Sequence, residues 1–201
     1  MQRSVARNAP DIISGMKNWI PVLLLALSLS FAWAPREAQA AGSFLEDPKA
    51  AVFAAFDRLS KDYPKGKAVH LTRVEITPKR VTFKVQNARN EEEVVTLSYS
   101  VDGDLSPLPG TDENLPDLIL AQSFSLKEID WEALVPFMQE AIRQSKIPSG
   151  TIVSLTAWKD WPKSEEIVIH ATIGGKAGES GFARADAKGQ LRMVDSTVLT
   201  Q

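Results

Sequence analysis

The chain changes its pattern of polar and apolar positions several times, and each change marks an element. In Asp47-Pro-Lys-Ala-Ala-Val-Phe-Ala-Ala-Phe-Asp-Arg-Leu59, Val52, Ala55, Phe56 and Leu59 fall on one stripe at helical spacing. Asp47 suits the N-cap, because its short carboxylate can accept a first-turn N–H, and Pro48 has no N–H to lose. Pro64 and Gly66 predict an end near Tyr63. The period then becomes two. Lys67–Thr77 ends with Val74 and Ile76 alternating against polar neighbours. Val81, Phe83 and Val85 alternate with Arg80, Thr82, Lys84 and Gln86, and Val95, Leu97, Tyr99 and Val101 with Thr96, Ser98 and Ser100. Such alternation predicts half-buried antiparallel strands with one wet face. Asn87–Glu93 reads as a solvated hairpin tip, and Asp102-Gly103-Asp104 closes the unit.

The same order returns after a Pro-rich connector. Asp130–Arg143 is the second helical stretch, but Pro136 fits poorly inside a helix begun at Asp130. The expectation is a short turn at 130–134 and a main helix starting near Pro136, ended by Pro148-Ser-Gly150. Strands are expected at about 151–159, 165–174, 180–187 and 190–197, with further strand or extended structure within Leu118–Leu126. Asp47 matches Asp130, Gly66 matches Gly150, Leu71 matches Leu155, and Gly103-Asp104-Leu105 matches Gly189-Gln190-Leu191, at offsets drifting from 83 to 86. The fold class expected is therefore α+β: a tandem α-β-β-β repeat with helices on one face of an antiparallel sheet. Its units are 41–105 and 128–201, joined by the connector 106–127.

The second unit contains Glu140-Ala141, Gly150-Thr-Ile-Val-Ser-Leu155, Glu166-Ile-Val-Ile-His170 and Phe182-Ala-Arg-Ala-Asp-Ala-Lys-Gly-Gln-Leu191. This resembles the PepSY-type domain, whose helix and three strands end in an acidic residue and a Gly-x-apolar turn. Asp186 and Gly189 stand at that ending, and Asp102 and Gly103 at a shortened version in the first unit. Tandem copies also resemble the fold of the β-lactamase inhibitor protein family. The resemblance implies an exported, non-enzymatic interaction module and brings no catalytic residues with it.

Composition sharpens the picture at the N-terminus. Arg3, Arg7 and Lys17 precede an apolar run of 15 residues, Ile20–Ala34, which is too short for a membrane span of about 20 residues. With Ala38-Gln39-Ala40 as a small-x-small triplet, residues 1–40 read as a cleavable secretory signal. The expected location is outside the cytoplasm, and the periplasm if the source is a Gram-negative bacterium. Cleavage would turn a net charge of −2 into −4, from 19 basic and 23 acidic residues. This balance argues against nucleic acid as a partner. No cysteine is present, which excludes disulfides and thiolate chemistry, and only His70 and His170 are available as imidazoles.

No catalytic constellation or cofactor motif emerges: there is no nucleophile elbow, P-loop or zinc helix, and Gly174-Gly175-Lys176-Ala-Gly178 reads as a hairpin turn. The chain therefore reads as a non-enzyme without a cofactor. The sharper surface signal is Trp158-Lys159-Asp160-Trp161-Pro162-Lys163, two tryptophans three residues apart near a hairpin tip. Trp158 is expected to pack beneath the helix and Trp161 to anchor a partner or cover a sheet edge. His170 falls on the polar parity of its strand. Together with Thr82, Lys84, Thr96 and Ser98 on the wet face, these residues make up the candidate partner-binding set. The leading expectation is an exported binding or inhibitor-like protein that engages an envelope protein or peptide through its sheet face or hairpin loops. The alternative is a carrier of a small apolar ligand lined by Phe53, Phe56, Phe137, Met138 and Trp158.

Overall fold

The computed structural model describes residues 42–64, 67–113 and 116–197, which belong to one compact unit; the expected signal segment lies outside them. Helix α1 (Pro48–Asp62) starts as its sequence dictates: the Asp47 side chain accepts from the Ala50 N–H at 2.9 Å, and Pro48 occupies the first turn. It buries Val52, Ala55 and Leu59. The strands β1 (Leu71–Ile76), β2 (Arg80–Gln86) and β3 (Glu93–Ser100) follow.

The connector departs from the expectation. Leu105–Glu113 forms a fourth strand, β4, and Pro116–Gln122 forms a helix, α2, where strand or extended structure was expected. Phe124 and Ser125 keep extended backbone, Phe124 in a single antiparallel bridge to Leu71. Pro107 and Pro109 obscure β4 in the sequence because proline donates nothing to a ladder. β4 tolerates them as the outermost strand, where one side of the backbone has no strand to bond. Strand β1 also starts at Leu71 rather than near Lys67.

The second half begins with a capped 3-10 turn at Leu126–Glu128 and another at Trp131–Ala133, and then α3 (Leu134–Ser145). Pro136 therefore stands in the first turn of α3, where no intrahelical N–H is lost. Strands β5 (Thr151–Lys159), β6 (Ile167–Gly174), β7 (Ser180–Asp186) and β8 (Leu191–Thr197) complete the chain.

All eight strands form one antiparallel sheet in the order β4-β3-β2-β1-β5-β6-β7-β8. The architecture is α+β and sheet-dominated. Register decides which side chains meet the helices. Val74 and Ile76 of β1 stand opposite Ala157 and Leu155 of β5, and Ile169, Ala171 and Ile173 continue that face on β6. These residues share one buried cluster with α1 and with Leu134, Phe137, Met138 and Ala141 of α3. Phe83 of β2 is fully buried there, edge-on to Phe56 at 6.4 Å. Val94 and Ile119 are buried too, but outside that cluster. Trp131 closes the core beneath the second half, where its indole N–H donates to the Leu126 carbonyl at 2.7 Å.

Candidate functional site

Period-two strands that bury one face direct their alternate side chains to the other. Pairing then aligns those side chains in rows across the sheet. One row crosses all eight strands: Ser106, Ser98, Thr82, Glu75, Thr156, His170, Arg184 and Met193. Beside it runs Thr96, Lys84, Arg73, Trp158, Val168 and Asp186. On the other side lie Ser154, Thr172, Phe182 and Asp195, with the Ser154 hydroxyl 3.2 Å from that of Thr172.

The aromatic side chains occupy a diagonal through these rows. Trp158 and His170 have ring centroids 6.0 Å apart, and His170 and Phe182 5.1 Å, each pair tilted by 39°. The Arg73 guanidinium lies over the Trp158 ring at 5.6 Å, and that of Arg184 over Phe182 at 5.8 Å. The result is an unbroken column, Arg73–Trp158–His170–Phe182–Arg184, spanning β1, β5, β6 and β7. Each guanidinium gains from the negative ring face beneath it. Burial, aided by the Arg184 charge, lowers the His170 pKa below its ordinary value, so the imidazole in the middle is neutral at pH 7.

Six of the sequence-predicted residues lie in two adjacent rows of this face: Trp158, His170, Thr82, Lys84, Thr96 and Ser98. Two corrections follow. Trp158 packs against Arg73 and His170 on the face opposite the helices, because Ala157 and not Trp158 has the inward parity of β5. Ser98 is only 5% exposed, so it offers no surface to a partner, whereas Thr82, Lys84 and Thr96 are half-buried. Trp161 and Pro162 stand apart, joined by a cis peptide in the β5–β6 connection, with Trp161 37% exposed. Arg73, Phe182 and Arg184 are the residues the sequence reading missed. The signal was there in the alternation of Phe182 and Arg184 with Ala183 and Ala185, but their convergence with Trp158 depends on cross-strand register.

Two of the cavities among the described residues involve the candidate residues. One of about 370 Å³ lies beside the column and is lined by His170, Thr172, Phe182 and Asp195. The other, about 320 Å³, lies against α1 and is lined by Phe53, Phe56, Val69, Leu71, Phe124 and Leu126. The five residues expected to line a carrier cavity do not converge. Phe137 and Met138 are in the closed core and Trp158 is on the other face. His70 lines the α1 cavity, whereas His170 is in the column. Among the described residues, no three His, Asp or Glu side chains gather as a metal site, and no helix is long and apolar enough to cross a membrane.

The β7–β8 turn is the other ordered polar feature. Asp186 Oδ1 accepts from the N–H groups of Lys188 and Gln190 at 2.9 and 3.0 Å, and Oδ2 from Arg192 at 2.6 Å. Burial would raise the Asp186 pKa, but the two backbone donors and Arg192 outweigh it and hold the carboxyl below its ordinary value. This carboxylate is satisfied within its own turn, which marks it as structural. Comparison of the chain with family models, with curated proteins and with solved structures finds no match.

Proposed function

We propose that this chain is an exported, non-enzymatic binding protein that engages a macromolecular partner through the sheet face opposite α1 and α3. The observation that carries the reading is the Arg73–Trp158–His170–Phe182–Arg184 column. Aromatic and arginine side chains dominate the energetics of protein interfaces, and five in continuous contact on one sheet face form a compact anchor. Trp161 lies in the β5–β6 connection as a candidate second contact.

The reading includes a tandem origin for the two halves. The β3–β4 and β7–β8 turns share one hydrogen-bond pattern. Gly103 N–H donates to Ser100 O and Ser100 N–H to Asp104 O, as Gly189 does to Asp186 O and Asp186 to Gln190 O. Both glycines have positive φ, +87° and +72°. Asp47 and Asp130 both cap through a donor three residues on. By this pattern Ser100, rather than Asp102, corresponds to Asp186. These features support a PepSY-like or inhibitor-like module, and the basic leader, short apolar run and Ala38-Gln39-Ala40 triplet support export.

The test is a photo-crosslinking residue at Thr156, between Trp158 and His170 on this face, with Lys61 on α1 as the control position. The expected result is one crosslinked envelope partner from Thr156 only, lost in Trp158→Ala. Equal labelling from both positions, or none from either, would refute the reading.

A further inference from the structure

We infer that the column carries two anion seats, at Arg73 and Arg184, and that its occupant is an acidic, extended protein segment with two carboxylates. The inference rests on the binding reading above and specifies the chemistry of the partner.

Four observations converge. First, both arginines are exposed and neither makes a salt bridge among the described residues, although the chain has slightly more acidic than basic residues. Glu75 and Asp195 share this face but pair with neither guanidinium. Second, each guanidinium lies over a ring, which restrains a flexible side chain and prepares its planar fork of donors as a carboxylate receptor.

Third, the rings are already engaged with one another as tilted pairs. His170 packs against both Trp158 and Phe182, and the outer two rings each carry an arginine. The guanidiniums over Trp158 and Phe182 compete with any base or sugar for these rings, the stacking platform that single-stranded nucleic acid requires. The column serves to brace the arginines.

Fourth, the spacing selects the ligand. From β1 to β7 is three strand spacings, and the two arginines are one row apart, which places their backbones about 16 Å from each other. The guanidiniums are held over separate rings on either side of His170, which suits two carboxylates rather than one. An extended chain rises about 3.3 Å per residue, and residues four apart project to the same side, about 13 Å apart. Arginine side chains bridge the remainder.

The experiment titrates the purified protein with an extended Thr/Val peptide of about ten residues bearing two glutamates four positions apart. Its counterpart carries glutamine at both positions. Binding is read by calorimetry and by the Trp158 indole N–H resonance. The two-glutamate peptide is expected to bind roughly ten-fold tighter than the glutamine peptide, with the difference shrinking as salt is raised. Arg73→Ala and Arg184→Ala should each remove about ten-fold, with unchanged melting temperature. Arg73→Lys and Arg184→Lys keep the charge without the fork and should still weaken binding about three-fold.

Equal affinity for the two peptides, or glutamate-peptide binding indifferent to both arginines, would overturn the inference. So would tighter, arginine-dependent binding of polygalacturonate or a single-stranded oligonucleotide. A crosslinked partner captured equally well by Arg73→Ala and Arg184→Ala removes this inference and leaves the binding reading standing. Arginine-dependent peptide binding without any crosslinked partner supports the inference and counts against that reading.

Discussion

The imidazole of His170 packs against the ring of Phe182, 5.1 Å between centroids, and the Arg184 guanidinium lies over the same phenyl ring. Protonating His170 would place a cation in a half-buried stack beside an existing cation. Its folded pKa therefore lies below the ordinary 6.5, first through burial and then through Arg184. The unfolded chain binds this proton more readily than the folded one, so the stabilising contribution is complete above pH 6.5. It is lost as pH falls from there through the lowered folded value. Urea midpoints should fall between about pH 7.5 and pH 5, and His170→Gln should flatten that part of the profile. An unchanged profile in the variant would assign the acid sensitivity to other groups.

Gly189 joins the β7–β8 turn to the second half's helical segment. Its φ is +72°, and an added Cβ would come within 2.8 Å of Ala133 Cβ and 2.9 Å of the Ala133 carbonyl oxygen. Gly189→Ala therefore combines backbone strain with a clash against backbone and should cost about 2–4 kcal/mol. Gly110→Ala shares the positive φ, at +98°, but nothing lies within 4 Å of its added Cβ. It should cost about 1 kcal/mol. Chemical denaturation of the two variants compares these directly, and equal losses would show that the Ala133 contact relaxes freely.

Trp131 supplies both volume and a hydrogen bond to the core. Trp131→Phe removes the donor to the Leu126 carbonyl and leaves that acceptor without its partner. The expected loss is about 1–3 kcal/mol, read from the urea midpoint. A loss within 0.5 kcal/mol would mean that another donor replaces the indole, a threshold set by the usual scatter of neutral substitutions, about 0.5 kcal/mol.

Asp186 separates a turn function from an ion-pair function. Asp186→Asn keeps an acceptor for the Lys188 and Gln190 N–H groups but loses the charge facing Arg192. Asp186→Ala loses both. The alanine variant should be less stable than the asparagine variant by about 1 kcal/mol. The carboxyl is held below its ordinary 3.8, so the contribution of its charge is present above that pH and lost as pH falls below it. Asn should therefore differ from Asp less at about pH 2.5 than at neutral pH, measured by thermal melts.

The column was only half legible in the sequence. Strand parity assigned His170, Thr82, Lys84 and Thr96 to one face, because alternation depends on each strand alone. Trp158 was misassigned to the core because its strand ends in a mixed run, and only the pairing of Arg73 with Trp158 and of Val74 with Ala157 settles its side. Ser98 shares the correct parity, yet its burial depends on what packs around it.

Local rules thus determined much of this protein from its sequence: the Asp47 cap, the delayed start of α3 around Pro136, seven of the eight strands, and their polar and apolar faces. These depend on the period of a few consecutive residues and on backbone sterics. Tertiary structure alone decided that Pro107 and Pro109 lie in an edge strand, that 116–122 coils into α2, and that β1 meets β5 at the centre of the sheet. That central pairing sets Arg73 against Trp158, while the β5–β6 and β6–β7 registers carry the contact on to Phe182 and Arg184. Arg73 and Trp158, 85 positions apart, become neighbours through strand register, a long-range property that no local period encodes.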